Sequence, residues 1–540
     1  MERKKHYKEK HKYKKDKFSH KTRENRISKL TISEILRESI GNRVSLSAIV
    51  DRVVQTGGPT VFHVSDGTGT LALKAFQGAG VRAYPEIKEG EAVHATIQIE
   101  EFQDELEGEI IRVIKLNELE KEKLLTEIKS IERKRAEIRP PQFLVKSPIL
   151  DKLKDRFIKA ATEIRLAIIQ NRPIIVRHHN DTDGYSSGFT LEKAILPLIE
   201  KQHIGAKAAW EFFTRAPCAA PFYEIDDSIR DTALSLSDAA KFSNKMPLVI
   251  IADNGSSSED LLGIKQGKVH GMEFIVVDHH YFDKDVISEE VLVHINPFLV
   301  KEDGAKFSAG MLCTELARFI NPEVSNIIQI AAMAGLADRI DNQEVMKSYL
   351  DLAARNSYSK ELLGDISTLV DFVSSKLRFL EAREYIEVLF GEPRDKQKEL
   401  VKLLAPYIRK LEAKGLEIAK TAVQIERIDE TTLQLLNIEE VFPRGFYPKP
   451  GKCIGLLHDN IQDSKGLANV VSVGILSDAL TIRATDEANF SVHNLIAYFN
   501  KNLPYAFAEG GGHKNAGAIK FIPNKKEEVL QMLRNFIRSL

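Results

Sequence analysis

Cysteine is scarce in this chain: three in 540 residues, Cys218, Cys313 and Cys453, far apart and in no metal-ligand spacing. A sparse, odd count argues against a disulfide framework and for a reducing, cytoplasmic setting. It also leaves oxygen and nitrogen as the donors for any metal site. No apolar stretch approaches the roughly 20 residues of a membrane span, so no membrane association is expected. Charge of one sign is not in excess, with 77 Lys and Arg against 77 Asp and Glu. The balance is uneven, however, because residues 1–23 carry eleven Lys or Arg against three acids. Such an arm suits either a polyanionic partner or a disordered solubilising tail. No apolar h-region follows it, so it is not read as a signal peptide. Internal repeats are also lacking.

What is present is an ordered series of segments. Residues 1–30 are read as a basic flexible arm. Within 31–118, TISEILRESI reads as a short helix, and residues 44–117 then alternate in strand fashion. Asp66-Gly67 and Thr68-Gly69 mark a turn. About five short strands of this kind suggest a small barrel. Phe62, Phe76 and Phe102 are its available rings, most of them expected in the core. Residues 119–147 read as a charged, solvated linker helix ended by Pro140-Pro141. From 148 to 358 strand and helix patterns alternate, which implies βαβ units and an α/β fold with a parallel sheet. Residues 359–440 look helical, as a spacer, oligomerisation element or partner-docking surface. From 441 to 540 strands return (KCIGLLHD, VVSVGILSD, LTIRAT), followed by a glycine-rich loop and an amphipathic helix.

Five short stretches carry the chemistry. They are His179-Asn180-Asp181-Thr182-Asp183-Gly184, Asp253 in IADNGS, Asp278-His279-His280, Asp338 in GLADRID, and Gly510-Gly511-Gly512-His513. The first three follow the apolar runs PIIV, PLVIIA and FIVV, which suit buried parallel strands. Ligand sites of open parallel sheets form beyond the carboxyl ends of their strands, so these groups would reach one edge. Carboxylates with added imidazoles suit divalent cations, Mn²⁺ more than Mg²⁺. Taken singly, each stretch reads as a helix cap, a surface turn or a loop. Five in order are far more specific.

Those motifs resemble the DHH/DHHA1 phosphoesterase superfamily, in its archaeal RecJ-like, single-strand-specific exonuclease branch. The resemblance covers roughly residues 150–350 and 441–540. The F-x-V-x-D-G-T-G-x-L segment (Phe62 to Leu71) likewise resembles nucleic-acid-binding OB-folds. The implied architecture is a parallel-sheet DHH domain, a smaller α/β DHHA1 domain, an OB-like N-terminal barrel and a helical insertion. By position, the resemblance makes Asp181 and Asp183 ligands of different metals, with Asp253 between them and His279 and Asp338 completing the set. His280 would contact the scissile phosphate and Asp278 would orient its neighbours. Arg483, Gly510, Gly511, Gly512 and His513 would grip substrate. The first motif departs from its relatives: where some carry Asp this chain has His179, and where others carry His it has Arg177. Of the two local imidazoles, His179 shares the alternating side with Asp181 and Asp183 and is preferred over His178 as a ligand.

Nearby polar residues receive ordinary readings. Asp341 is taken as surface or capping, Asp226 and Asp227 as caps, and His294 as packing at a strand end. Asn254 and Ser256 are taken to satisfy backbone groups in their turn. The expected activity is hydrolysis of single-stranded DNA or RNA, leaning 3′→5′, by a water activated between two cations, in repair or replication. A helicase or replication factor would dock on the helical insertion. The alternatives are a phosphodiesterase for short oligoribonucleotides or cyclic dinucleotides, and a non-catalytic replisome scaffold.

Overall fold

The computed structural model describes residues 27–102, 105–202, 208–218, 220–242, 244–340, 342–377 and 383–540. Most of the basic arm, and Asp341, therefore lie outside the described residues. The chain falls into two compact units, 1–132 and 133–540. Among the described residues no helix is long and apolar enough to cross a membrane.

In the first unit, β1 (Arg43–Gln55), β2 (Thr60–Ser65), β3 (Thr70–Ala75), β4 (Ala92–Phe102) and β5 (Glu105–Lys115) form one sheet in the order β1-β2-β3-β5-β4. A further β1–β4 pairing closes it, and β3–β5 is the parallel pair among these five. This is an OB-like barrel. Its alternating residues Val44, Leu46, Val64, Leu73, Ala95 and Ile97 point inward. The turn after β2 is fixed by Asp66, whose Oδ1 accepts from Thr68 N at 2.8 Å and whose Oδ2 accepts from Ile32 N at 2.7 Å.

That second bond explains a difference from the sequence reading. Residues 31–40 form two 3₁₀ turns, Ile32–Glu34 and Arg37–Ser39, not a helix. Anchoring Ile32 and burying Ile32 and Ile35 three apart suits the tighter turn. Phe62 is core at 2 % exposure, but Phe76 and Phe102 are 68 % and 53 % exposed, so one of the three rings, not most, is interior. Helix α1 (Glu118–Ala136) is less solvated than expected, because Leu124, Leu125 and Ile128 pack with Ile49 and Ala92.

The second unit opens with α2 (Pro148–Ile169), then β6 (Ile174–His178) and α3 (Thr182–Gln202). β7 (Phe213–Pro217), α4 (Ile225–Phe242), β8 (Leu248–Ala252), α5 (Ser258–Val269), β9 (Glu273–Val277) and β10 (Val293–Ile295) follow. The five strands make one wholly parallel sheet, β10-β9-β8-β6-β7. β6 and β8 are buried along their whole length, which is why they read as continuous apolar runs. β7 and β10 are too polar or too short to announce themselves.

Helices α6 (Ala309–Ile320), α7 (Ile328–Ala337), α8 (Gln343–Arg355), α9 (Lys360–Leu377), α10 (Arg383–Leu389) and α11 (Arg394–Ala422) come next. Many of their apolar residues join the core cluster that covers one face of the parallel sheet. The segment 359–440 is helical as far as Ala422 and packs on that cluster. It ends in β11 (Gln424–Ile428) and β12 (Thr431–Asn437), a hairpin whose alternation was masked by flanking charge. These start a second sheet with β13 (Val470–Ile475), β14 (Ala479–Ala484), β15 (Glu509–His513) and β16 (Ala516–Lys520), ordered β11-β12-β13-β14-β16-β15. KCIGLLHD is not a strand but part of α12 (Pro450–Lys465), since Cys453, Ile454, Leu457 and Ile461 are buried at helical spacing. α13 (Val492–Asn502) and α14 (Lys526–Arg538) complete this layer.

Candidate metal centre and cleft

Three parallel strands end side by side, and each continues directly into polar residues. β6 leads into His179, Asn180 and Asp181, with Asp183 in the first turn of α3. β8 leads into Asp253, held in the left-handed region at φ 62°. β9 leads into Asp278, His279 and His280. Asp338 caps the C-terminus of α7, and His513 ends β15. All of these but His279 line one cavity of about 1280 Å³ within the second unit.

Their atoms converge. His179 Nδ1 lies 2.9 Å from Asp181 Oδ2 and 3.6 Å from Asp253 Oδ2. His279 Nε2 lies 3.1 Å from Asp338 Oδ2, 3.4 Å from Asp253 Oδ1 and 3.8 Å from Asp183 Oδ2. His513 Nε2 is 3.8 Å from Asp338 Oδ2, and its ring stacks on that of His280 with centroids 4.9 Å apart. Among the described residues four donor groups are compact enough for a cation, and two of them are His179 with Asp181 and Asp253, and Asp183 with His279 and Asp338.

Both Asp253 carboxylate oxygens, His279 Nε2 and Asp338 Oδ2 are buried without a hydrogen-bond partner. Stranded buried polar atoms are costly, and the donor set of carboxylates and imidazoles is what a divalent cation would complete. The fit to divalent cations is therefore good. Without them the charges compete. Burial pulls the His279 pKa down, yet the carboxylates of Asp253, Asp338 and Asp183 hold it well above the imidazole range. Burial, reinforced by Asp253 and Asp338, holds the Asp183 carboxyl well above its usual value.

A second layer sets the ring tautomers. His279 Nδ1 meets the Gly304 carbonyl at 3.2 Å, leaving Nε2 for the cleft. A Cβ at Gly304 would fall 1.8 Å from the His279 carbonyl oxygen, so only glycine permits this approach. Asp278 Oδ1 accepts from His279 N at 2.8 Å, His280 N at 3.2 Å and His280 Nδ1 at 2.8 Å. Asp183 accepts from Ala309 N and Gly310 N at the start of α6, at 2.9 and 3.0 Å.

Several residues sit differently from their sequence readings. His178 is buried against Tyr185 and turned toward the His179 carbonyl, while Arg177 is spent on a buried pair with Asp231 and Asp227. Asp227 is thus an ion-pair partner more than a cap. Ser256 does not serve its own turn: its hydroxyl meets His294 Nε2 at 2.9 Å and accepts from Asn296 Nδ2 at 2.9 Å. Asn296 in turn donates to the His280 carbonyl at 3.0 Å. The glycine-rich loop is a strand, β15. A Cβ at Gly510 would lie 2.1 Å from Ala518 O, and Gly512 has φ +127°, so these two serve the hairpin, whereas Gly511 faces open space. Arg483 lines the cleft from β14, near Arg339 and Asp338, and burial lowers its pKa. Sequence reasoning missed Gly304, Asn296, Asp371, Lys449 and Lys452, because their partners are distant in the chain.

Residues 173–354 match the family model described as the DHH family, N-terminal domain. The uncharacterized protein MJ1198 of Methanocaldococcus jannaschii is 34% identical over 538 residues, covering 94% of this chain and 70% of that protein. A solved structure described as a member of the s1p family of ribosomal proteins, PF0399 DHH domain, is 35% identical with a TM-score of 0.73. That match covers 78% of this chain and 100% of the other. RecJ in complex with Mn²⁺ from Thermus thermophilus is 16% identical with a TM-score of 0.49, over 76% of this chain and 59% of that one.

Proposed function

The chain belongs to the DHH family of phosphoesterases, and on that premise we propose that it hydrolyses phosphodiester bonds in single-stranded nucleic acid as a metal-dependent exonuclease. The observation that carries this reading is the meeting of Asp181, Asp183, Asp253 and Asp338 with His179, His279 and His280 in one cleft, with buried donor atoms left unpartnered. His179, Asp181 and Asp253 would hold one divalent cation, and Asp183, His279 and Asp338 a second. Imidazole donors favour Mn²⁺ over Mg²⁺. When bound, such a pair supplies Lewis-acid polarisation of the phosphate and acidifies water.

The remaining residues act on the substrate. Asp278 fixes His280 through Nδ1, so that Nε2 is free to donate to a phosphate oxygen. Arg483, His513 and the open backbone at Gly511 would grip the adjoining phosphate. Burial lowers the His513 pKa, so near neutrality it serves as a neutral donor. In the other unit, Phe76 and Phe102 are exposed, and the Lys74 ammonium lies 4.0 Å from the Phe102 ring centroid. Exposed rings beside a cation suit bases and phosphates of a single strand. A barrel of that kind favours a long strand over a dinucleotide. We read the direction as 3′→5′ and the setting as repair or replication.

The test is digestion of DNA and RNA twenty-mers, labelled at either end, and of dinucleotides, with Mn²⁺, Mg²⁺ or EDTA. Metal-dependent shortening of the twenty-mer from its 3′ end is expected. Cleavage confined to dinucleotides would replace this reading with the short-substrate one. Failure to bind metal and to cleave any substrate would leave a binding scaffold.

A further inference from the structure

The loop that carries the first donors, His179 to Asp183, is gripped from outside by residues far along the chain. Thr182 stands between Asp181 and Asp183 and is 1 % exposed. Its backbone N–H donates to Asp371 Oδ1 on α9 at 3.2 Å, and its hydroxyl lies 2.8 Å from the same oxygen and 3.0 Å from the Ser367 carbonyl. Lys449, just before α12, donates from Nζ to the Asn180 carbonyl and to Ser374 Oγ, both at 3.0 Å. The clamp is itself braced. Lys452 Nζ sits 3.6 Å from Asp371 Oδ2 and 2.9 Å from Glu412 Oε1, and Tyr447 donates to Glu412 at 3.2 Å.

These bonds end on the two backbone groups that flank Asp181. An N-terminal helix N–H is normally capped by its own chain segment. Here Asp181 Oδ1 caps Gly184 N at 2.9 Å, and Asp371 takes the next donor, Thr182 N. With these two N–H groups satisfied, Asp181 Oδ2 is left toward His179 and Asp253. We propose that Asp371 and Lys449 are positioning residues that hold the 179–183 loop in its metal-binding geometry, which makes the long helical segment a working part of the metal centre. This rests on the metal-dependent reading above. Groups that orient metal ligands typically matter by 10–100-fold in affinity.

The experiment is Mn²⁺ titration of the full chain by calorimetry and by loss of the free-ion EPR signal. Asp371→Ala and Lys449→Met should each raise the Mn²⁺ dissociation constant about tenfold or more, with thermal midpoints close to wild type. Asp371→Asn keeps an acceptor for Thr182 and should recover most of the loss. In cleavage assays the Mn²⁺ concentration for half-maximal rate should rise, while the rate at saturating Mn²⁺ stays near wild type. Folded Asp371→Ala and Lys449→Met proteins that bind Mn²⁺ as wild type does would overturn the proposal, as would Asp371→Asn failing as badly as Asp371→Ala. If Asp371→Ala does not fold, Thr182→Val removes one end of the same contact and must show the same weakening. A wild-type chain that binds no Mn²⁺ would instead defeat the metal centre itself, independently of any variant.

Discussion

The barrel and the cleft are built on opposite terms. In the barrel, Val44, Leu46, Val64 and Ile97 bury apolar surface with little polar content, and Asp66 is engaged both in its own turn and by Ile32 N. In the cleft, Asp253, His279 and Asp338 are buried with atoms that have no hydrogen-bond partner. Among the described residues the buried polar atoms without a hydrogen-bond partner are concentrated in the second unit, with Glu91 Oε2 in the first. Polar atoms left unsatisfied in a rigid frame are what a binding centre costs, and the large apolar cluster beneath the parallel sheet supplies the frame.

The sharpest way to break this contrast is Asp253→Ala. Its carboxylate joins His179 and Asp181 in one donor group and lies 3.4 Å from His279 Nε2 of the other, so cleavage should fall by about 10³-fold or more, equivalent to about 4 kcal/mol of transition-state stabilisation. Affinity for a labelled twenty-mer, read by fluorescence anisotropy, should stay within about threefold. Equal loss of binding and cleavage would mean that the two regions do not divide the work.

The reverse separation comes next. Replacing Phe76 and Phe102 together by Ala should weaken twenty-mer binding by about 1–3 kcal/mol for each base that stacks. Hydrolysis of a dinucleotide should be unchanged. Unaltered twenty-mer affinity would remove the barrel from substrate binding.

Acid should separate the regions by stability. His178 is fully buried beside Arg215, and burial first, then that cation, lowers its pKa to about 3. The unfolded chain takes up this proton near pH 6.5 and the folded chain does not, so stability is lost as pH falls from about 6.5 toward 3. The slope is about 1.4 kcal/mol per pH unit. Urea unfolding of the second unit, followed by Trp210 in the absence of divalent cations, should show this slope, and His178→Gln should flatten it. The smallest effect expected is at Arg339, which meets Asp459 through two bonds of 3.0 and 2.7 Å but is 58 % exposed. Arg339→Ala should change stability by no more than about 1 kcal/mol.

Period and polarity made much of the architecture legible. PIIV, PLVIIA and FIVV read as buried strands because a strand covered on both faces has no polar side to show. The barrel read as strands because one face of each is wet. The errors share a cause. Residues 424–437 carry enough charge to resemble the helices before them, and only pairing with β13 reveals a sheet. KCIGLLHD is apolar enough for a strand, and burial on a helical period decides otherwise.

What the sequence alone determined is the kind of chemistry and the strand ends that present it, since residue type and hydrophobic period are local properties of the chain. Tertiary structure alone decided that Arg177 is spent on a buried pair with Asp231 and Asp227. It also decided that Gly304, 25 residues from His279, sets that ring's tautomer, and that Asp371 and Lys449 grip the 179–183 loop. Hydrogen bonds between residues 25 to 269 positions apart leave no spacing to read. They exist only once the sheet and its covering helices have brought each side chain within 3 Å or so of the backbone group it meets.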